Sequence, residues 1–258
     1  MHDQKTISPP SLFRIPAIFH AFPYLISAES TRHGGVSSVP YHSLNLGGST
    51  QDSPENVLEN NRRFFLALNV SLSDVAKSHQ IHGSEILNVL KPGRYEGYDA
   101  LITNIPDVQL AVTVADCTPI LILDPIRKAV SAIHAGWRGT VQEIVLKTMK
   151  TMQEEFGTVA SECFGYVGTC IDECSFEVGE DVAVHFPDTH KRWNEEKGKF
   201  FVDLKSANRD QLLNAGLHQK NIEVSAYSTV LNNDDYFSYR LEQGTTGRML
   251  ATIGFTIQ

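Results

Sequence analysis

The chain contains 258 residues, of which 41% are hydrophobic, and its formal net charge at pH 7 is −8. This length and composition suffice for a large core, and one domain over residues 1–258 is the simplest prediction. The negative charge argues against nucleic acid or an acidic membrane as a partner, whereas a small anionic substrate needs only local positive charge. Residues 1–10 lack the apolar core of a signal peptide, and four cysteines do not form a disulfide scaffold, so we expect a cytoplasmic protein.

Two polar, Gly-rich turns at residues 31–37 and 41–48 follow a strand-like segment over residues 11–30. Arg32 in the first turn and Asn45 in the second turn predict a cradle for an anion or a sugar. Two surface loops with a solvated arginine explain the same residues equally well.

A first helix is predicted to begin after the Asp52-Ser53 cap, with Pro54 in its first turn. Asn69 is the expected end of this helix. Its buried stripe is predicted to consist of four apolar side chains at helical spacing, namely Val57, Phe64, Phe65 and Leu68.

The apolar runs at residues 120–123 and 129–133 flank the turn signal Asp124-Pro125 and predict an antiparallel hairpin. A turn centred directly after Pro125 places Cys117 opposite His134, on one face of the hairpin with Cβ atoms about 5 Å apart. Such a pair suits two ligands of one metal ion, or a thiol and its base.

His82 lies in the polar loop at residues 78–83, and it becomes a candidate third ligand because a cysteine and a histidine already converge elsewhere. Three protein ligands leave an open coordination position, which is typical of a catalytic zinc site. A fourth ligand from His79 would instead indicate a structural zinc site. Asp116, beside the cysteine, is either a proton carrier or a hydrogen-bonded carboxylate at the end of a strand.

A second helix is predicted from a capping box formed by Thr140 and Glu143, and it ends at Gly157. The free N–H groups at its start and Arg138 would form an anion site beside the proposed metal ion.

Shorter patterns predict the remaining elements. Residues 180–185 and 204–213 are predicted to be helical, and residues 189–199 an exposed loop. Cys163, Cys170 and Cys174 are interpreted as buried free thiols. Further strands are predicted at residues 86–90, 98–103, 110–114, 163–168, 176–179, 222–230, 236–239 and 249–257.

Two stretches are especially specific, Ala-Asp-Cys-Thr-Pro at residues 115–119 and His-Ala-Gly-Trp-Arg-Gly-Thr at residues 134–140. They resemble the family that includes the bacterial YfiH and YlmD proteins and the human laccase-domain-containing protein. Members of this family have been called polyphenol oxidases or laccases, and also purine nucleoside phosphorylases. The other matching stretches, in the family's order, are residues 31–37, 43–46, 80–83, 99–103, 176–179, 203–204, 237–240 and 247–248.

This resemblance implies an α+β fold, a four-layer α/β/β/α sandwich in which two mostly antiparallel or mixed sheets lie between helices. It also implies a zinc site at His82, Cys117 and His134, and phosphate-dependent cleavage of adenosine, inosine, guanosine and methylthioadenosine, with adenosine deamination as a second activity. Purine nucleosides and phosphate would then be the only partners, and the protein would be a monomer or a homodimer. Catalysis is assigned to the three ligands and Asp116, and substrate binding to Arg32, Asn45 and Arg138.

Two other enzymatic functions compete with this one. A cysteine hydrolase or amidase would use Cys117 as its nucleophile and His134 as its base. A copper polyphenol oxidase would need about ten histidines arranged around several copper ions, usually in His-x-His pairs. The chain has ten histidines but no His-x-His pair. Zinc is therefore favoured over copper.

Overall fold

The structure, a computed structural model, describes residues 11–256. The prediction that residues 1–10 are not a signal peptide concerns residues outside this range. Residue 257, the last of the predicted strand 249–257, also lies outside it. The described residues form fifteen strands: β1 Phe13–Arg14, β2 Leu25–Ser30, β3 Val75–His79, β4 Ile86–Asn88, β5 Gly93–Glu96, β6 Ala100–Thr103, β7 Gln109–Val114, β8 Thr118–Asp124, β9 Ala129–Ala135, β10 Phe164–Val167, β11 Glu177–Val178, β12 Lys191–Asn194, β13 Lys199–Val202, β14 Ile222–Val224 and β15 Met249–Phe255.

The same residues form five α-helices, α1 Pro54–Ala67, α2 Trp137–Val141, α3 Ile144–Phe156, α4 Glu180–Ala183 and α5 Leu204–Asn214. Within residues 11–256, every helix is too short or too polar to span a membrane. Predicted caps are confirmed for α1, where Ser53 accepts from the amide of Asn56, and for α5, where Asp203 accepts from the amide of Ser206.

Two six-stranded sheets dominate the fold. The first sheet has the order β1-β2-β15-β7-β3-β5 and the second has the order β14-β10-β8-β9-β6-β4. Each sheet contains antiparallel and parallel neighbours, and β11, β13 and β12 form a small third sheet. The expected α+β class with two mixed sheets is therefore confirmed.

The main core lies between the two large sheets. Leu110 and Ile253 of the first sheet pack in one cluster with Leu121 and Val130 of the second sheet, and all four are fully buried. Helix α1 covers the outer face of the first sheet through Phe64 and Phe65, and helices α3 and α5 cover the outer face of the second sheet. Burial of these apolar side chains is the main force that holds the sheets together.

The chain crosses from the first sheet to the second three times between residues 79 and 118. These crossings connect β3 to β4, β5 to β6 and β7 to β8. His82 lies on the first crossing, Asp99 on the second and Cys117 on the third. Residues that are far apart in sequence thus meet where the chain passes between the sheets.

The predicted hairpin is β8–β9, but its register differs from the prediction by two residues. Pro119, rather than Cys117, lies opposite His134. The loop is longer because the Asp124 carboxylate accepts hydrogen bonds from the amides of Ile126 and Arg127, which moves the centre of the turn towards β9. A shift of two residues preserves the face of the strand, so the two proposed ligands remain neighbours on a diagonal.

The predicted capping box of the second helix is wrong. Thr140 lies inside α2, and Glu143 adopts a left-handed backbone (φ 60°) and makes no side-chain cap where α3 begins. Gln211 of α5 connects the two helices instead, because its side chain donates to the Thr140 carbonyl and accepts from the Val145 amide.

Two other predictions are wrong. Residues 189–199 include strand β12 and the first residue of β13, whereas residues 236–239 form a bend and turn rather than a strand. Cys163 and Cys170 are buried as expected, but Cys174 is exposed.

Candidate metal centre and substrate cavity

His82, Cys117 and His134 meet at one end of the sheets. One ligand atom from each side chain lies within 4.8 Å of the other two. His82 is exposed and its backbone is left-handed (φ 59°), whereas His134 near the end of β9 is 3% exposed. The predicted convergence is therefore present in the fold, and one member of the cluster faces outwards.

Asp99 connects the two histidines, a role that was not assigned to it from the sequence, although it begins the matching stretch at residues 99–103. Its fully buried carboxylate lies 2.7 Å from Nδ1 of His134. The same carboxylate accepts hydrogen bonds from three successive main-chain amides in the loop that carries His82, those of Ile81, His82 and Gly83. It orients one ring and fixes the backbone beneath the other, and it leaves Nε2 of His134 as the nitrogen available to a metal ion.

Gly136 allows the ligands to approach each other. A Cβ atom at this position would lie 3.1 Å from Cδ2 of His82 and 3.2 Å from Sγ of Cys117. Both distances are tighter than ordinary carbon contacts. The absence of a side chain at residue 136 is thus part of the geometry of the cluster.

The cluster is charged even without a metal ion. Burial opposes ionisation of Cys117, but the charge of His134 and hydrogen bonds from both histidines outweigh burial and lower the thiol pKa to about 6. Burial likewise opposes protonation of His134, and the neighbouring thiolate and Asp99 raise the pKa of its ring to about 9. The directions of the two pKa shifts favour a thiolate–imidazolium pair at neutral pH.

These residues satisfy the requirements of a three-ligand site for a borderline-soft metal ion. They offer one sulfur and two imidazole nitrogens, and a carboxylate holds the far side of one imidazole. His79 is not part of the group, since its ring is exposed and its Nδ1 lies 3.2 Å from the Glu96 carboxylate. A structural site with four protein ligands gains no support from this arrangement.

Asp116 lies beside Cys117 in a left-handed conformation (φ 81°). Its carboxylate accepts hydrogen bonds from Oγ1 of Thr229 at 2.5 Å and from the Arg240 amide at 2.6 Å. Burial nevertheless raises the pKa of Asp116 above its usual value. The side chain has a clear structural role and also borders the cavity described next.

The cluster opens into a cavity of about 1090 Å³ between the edge of the first sheet and the loops around α1 and α2. Its aromatic side chains are Trp137, Phe176 and Tyr239. Five cationic side chains line it against two carboxylates, so a protein with net charge −8 concentrates positive charge here. The five cations are Lys77, Arg94, Arg138, Arg240 and Arg248, and the two carboxylates are Asp52 and Asp116.

The three residues predicted to bind substrate lie in different places. Arg138 lines the cavity, is exposed, and packs its guanidinium 4.5 Å from the centre of the Trp137 ring. Arg32 is not among the lining residues, and its guanidinium donates to the carbonyl of Asn233 and the carboxylate of Glu242.

Asn45 is fully buried and holds neighbouring loops together. Its amide donates to Thr50 and Asp52, and its carbonyl accepts from the amides of Gly47 and Arg248. The side chains of Arg32 and Asn45 thus form hydrogen bonds with other residues of the protein. Their predicted roles in substrate binding stay untested.

Sequence reasoning missed Asp99 and four of the five cavity cations, Lys77, Arg94, Arg240 and Arg248. Asp99 and Arg248 each immediately precede a buried strand, which is a weak signal for a side chain at a sheet edge. Lys77 and Arg94 face each other only because β3 and β5 pair in parallel, and the sequence contains no local sign of that pairing.

Fold and site together define a mixed α/β fold with a candidate catalytic metal centre at the edge of its two large sheets. The family described as multi-copper polyphenol oxidoreductase laccase matches residues 27–256. A curated relative from Deinococcus radiodurans, named purine nucleoside phosphorylase, is 40% identical over 94% of this chain and 92% of its own length.

Solved structures agree with this relationship. The YfiH protein of Bacillus licheniformis superimposes with a TM-score of 0.89 at 29% identity, covering 95% of this chain and 99% of its own. YlmD of Geobacillus stearothermophilus gives 0.88 at 32% identity, covering 96% and 100%. The chain belongs to this laccase-like family, the YfiH/YlmD family.

Proposed function

We propose that this protein is a zinc-dependent purine nucleoside phosphorylase. The name of the relative from D. radiodurans supports phosphorolysis. The observation that carries the proposal is the opening of the Cys/His/His cluster into a large cavity with aromatic and cationic walls. Adenosine, inosine, guanosine and methylthioadenosine are the proposed substrates, phosphate is the co-substrate, and adenosine deamination is the proposed second activity.

Zinc suits the cluster better than copper does. One thiolate and two imidazoles match the donor preference of zinc, and three protein ligands leave a position open to the cavity. Oxidation by a laccase requires several copper ions that store electrons, whereas residues 11–256 contain one group of this kind. The copper oxidase function is therefore the weaker alternative.

The proposed phosphorolysis makes separate demands on the protein. An oxygen of phosphate bonds to C1′ while the C1′–N9 bond breaks, and the electron pair remains on the purine, which takes up a proton. Trp137, Phe176 and Tyr239 would bind the flat purine, and the cavity cations would hold phosphate against the ribose. When bound, zinc supplies a Lewis acid and the ability to ionise water near neutral pH.

Deamination would need a group that moves a proton while water adds to C6 and ammonia leaves. Asp116 is our candidate, because it lines the cavity and its raised pKa brings protonation closer to neutral pH. Its two hydrogen bonds to the protein fix its orientation.

Product analysis with adenosine tests the proposal on protein of measured metal content. Adenine plus ribose 1-phosphate, formed only when phosphate is present, is the expected result for phosphorolysis, and inosine is the expected product of deamination. H82A should lose both the metal ion and phosphorolysis. Phosphorolysis that persists in metal-free H82A would show that zinc has no role in the reaction.

The geometry also favours a second candidate, a cysteine hydrolase in the metal-free protein. Cys117, His134 and Asp99 have the arrangement of nucleophile, base and orienting carboxylate. Bound metal would occupy the thiolate and prevent this chemistry. The metal content of the protein as isolated, together with the thiol reactivity described in the Discussion, separates the two candidates.

A further inference from the structure

Three cations that line the cavity, Lys77, Arg94 and Arg248, do not belong to the proposed metal centre. The part of the cavity wall that they form is called the arm. Lys77 and Arg94 are direct partners across the parallel strands β3 and β5. Side chains opposite each other on neighbouring strands project from the same face of a sheet. Both residues line the cavity, so they present two positive groups side by side at the edge of the first sheet.

Arg248 belongs to the same arm, and the Gly47-Gly48 turn joins it to Arg94. A Cβ atom on Gly47 would lie 2.5 Å from Cγ of Arg248, and a Cβ atom on Gly48 would lie 3.6 Å from Nη1 of Arg94. The turn therefore touches both arginines along bare backbone. The space at Gly47 is filled by the aliphatic stem of Arg248, whereas the exposed main chain at Gly48, beside the Arg94 guanidinium, leaves room for an oxyanion to approach.

Existing contacts leave these cations able to accept a ligand. Arg94 has one ion pair, with Glu96 at 3.7 Å, and both side chains are about two-thirds exposed. Such an exposed pair contributes little and exchanges readily. Arg248 uses Nη1 to donate to the carbonyls of Thr246 and Gly247, which holds its guanidinium at the cavity wall.

Asp52, one of the two carboxylates that line the cavity, is engaged by hydrogen bonds within the protein. It accepts hydrogen bonds from the hydroxyl of Ser37 and the amide of Asn45 through one oxygen, and from the Ser53 main chain through the other. It therefore stabilises the loops around α1 and forms no direct ion pair with Lys77, Arg94 or Arg248.

Lys77 adds an unusual feature to the arm. Its Nζ donates to the side-chain carbonyl of Asn61, and Phe65 lies below it at 5.3 Å from the ring centre. Burial, and then the charge of Arg94, lower the pKa of its ammonium group to about 7. A bound anion would offset both effects and favour the charged form.

We infer that Lys77, Arg94 and Arg248 form a binding site for a phosphate-type oxyanion. This site lies in the same cavity as the metal centre, so a role in catalysis rests on the proposed function. The binding of an oxyanion by these three residues does not depend on that function. The oxyanion has two sources: inorganic phosphate as co-substrate, or a phosphoryl group carried at the 5′ end of a nucleoside substrate. Both require the same positive charge and hydrogen-bond donors.

Calorimetric titration of the metal-loaded protein tests the site with three probes, inorganic phosphate, adenosine and adenosine 5′-monophosphate. Arg94 is exposed on an edge strand, so R94Q is expected to fold, and K77Q provides a second, buried variant. Losing one charge-assisted contact should raise Kd roughly tenfold or more. R94K should restore part of the affinity, because it retains the charge without the planar fork.

The matched control is R62Q on the exposed face of α1, where Arg62 pairs with Glu59 away from the cavity. It should bind all three probes as the wild type does. Weaker phosphate binding in R94Q and K77Q assigns the site to the co-substrate. If the monophosphate binds more tightly than adenosine, and R94Q and K77Q abolish that advantage, the site accepts the 5′-phosphoryl group.

Unchanged Kd values for both phosphate and the monophosphate in R94Q and K77Q would overturn the inference, as would wild-type protein that binds neither. Failure of the proposed function is a separate result. If adenosine is not cleaved while R94Q still weakens phosphate binding, the oxyanion site stands without phosphorolysis. If the wild type cleaves adenosine and the Kd for phosphate is the same in R94Q and K77Q as in the wild type, phosphate binds elsewhere in the cavity.

Discussion

The carboxylate of Asp99 lies 2.7 Å from Nδ1 of His134 and at the same time holds the loop that carries His82. Although burial opposes ionisation, hydrogen bonds from the histidine and from the loop amides lower the pKa of Asp99. One anionic side chain thus controls the positions of two of the three proposed ligands.

We predict that D99N lowers zinc affinity about 10–100-fold, the usual effect of removing a carboxylate behind a histidine ligand. The amide cannot accept hydrogen bonds from His134 and three loop N–H groups as a carboxylate does. Competition with a chromophoric chelator measures the affinity. D124N is the control, because Asp124 is equally buried and also accepts from main-chain amides, but lies at the other end of β8. Equal zinc affinity in D99N and wild type would contradict this role.

G136A should also weaken zinc binding. The added methyl group would press on His82 and Cys117 at 3.1 and 3.2 Å, and the ligands would have to separate. The same chelator competition measures the loss, and circular dichroism confirms folding. G48A is the control, since its new Cβ atom would meet its nearest neighbour at an ordinary 3.6 Å. If G136A binds zinc normally, the close approach at this glycine is unimportant.

Thiol reactivity should distinguish the metal-loaded from the metal-free protein. In a C174A background, which removes the exposed thiol, iodoacetamide should alkylate Cys117 rapidly at neutral pH when metal is absent, because its pKa is lowered to about 6. Cys163 and Cys170 should react slowly, since burial raises their pKa values to about 12. Mass spectrometry of the modified peptides provides the measurement.

Zinc should suppress this alkylation at Cys117 and leave the other thiols unaffected. Rapid alkylation of Cys117 in protein that retains its full metal content would instead favour the cysteine hydrolase. A C117A variant establishes the background rate for the remaining thiols.

Lys77 should make stability depend on pH. Burial and Arg94 lower its pKa to about 7 in the folded protein, against a usual value of 10.5. Between these two pKa values the unfolded chain binds more protons at Lys77 than the folded protein does. The contribution of Lys77 to the free energy of unfolding therefore becomes more favourable to the folded state as the pH rises. The charged and polar groups next to its amine are Arg94 from β5 and Asn61 from α1.

The free energy of unfolding of K77M minus that of the wild type should therefore decrease between pH 6 and pH 9, as measured by urea denaturation. K150M is the control, because Lys150 is 76% exposed on α3, and its difference from wild type should stay constant. A constant difference for K77M would mean that the lysine keeps its ordinary pKa.

Local patterns predicted those features that local interactions determine. The caps of α1 and α5 depend on a side chain and an amide three residues away, so their boundaries followed from the sequence. The meeting of Cys117 and His134 also followed, although the hairpin register differed by two residues. That difference arose from the two amides bound by Asp124, which a turn rule based on proline does not include.

The features that the sequence did not predict depend on contacts between distant segments. Asp99 serves the site because three chain crossings meet at one end of the sheets. The Lys77–Arg94 pair depends on parallel strand pairing, and residues 236–239 have strand-like composition but bend around the Met249 sulfur, which accepts from the Phe237 amide. None of these partners is a neighbour along the chain.

Two of the three proposed ligands, His82 and Cys117, lie on crossings between the two sheets, so the geometry of the metal centre depends on how the sheets pack. His82 lies on the crossing from β3 to β4 and Cys117 on the crossing from β7 to β8, whereas His134 belongs to strand β9 of the second sheet. Side chains such as Leu110 and Leu121, fully buried between the sheets, keep the two sheets at a fixed separation. Enlarging or trimming such interior side chains would therefore move the candidate metal ligands relative to one another, although these side chains lie outside the Cys/His/His cluster.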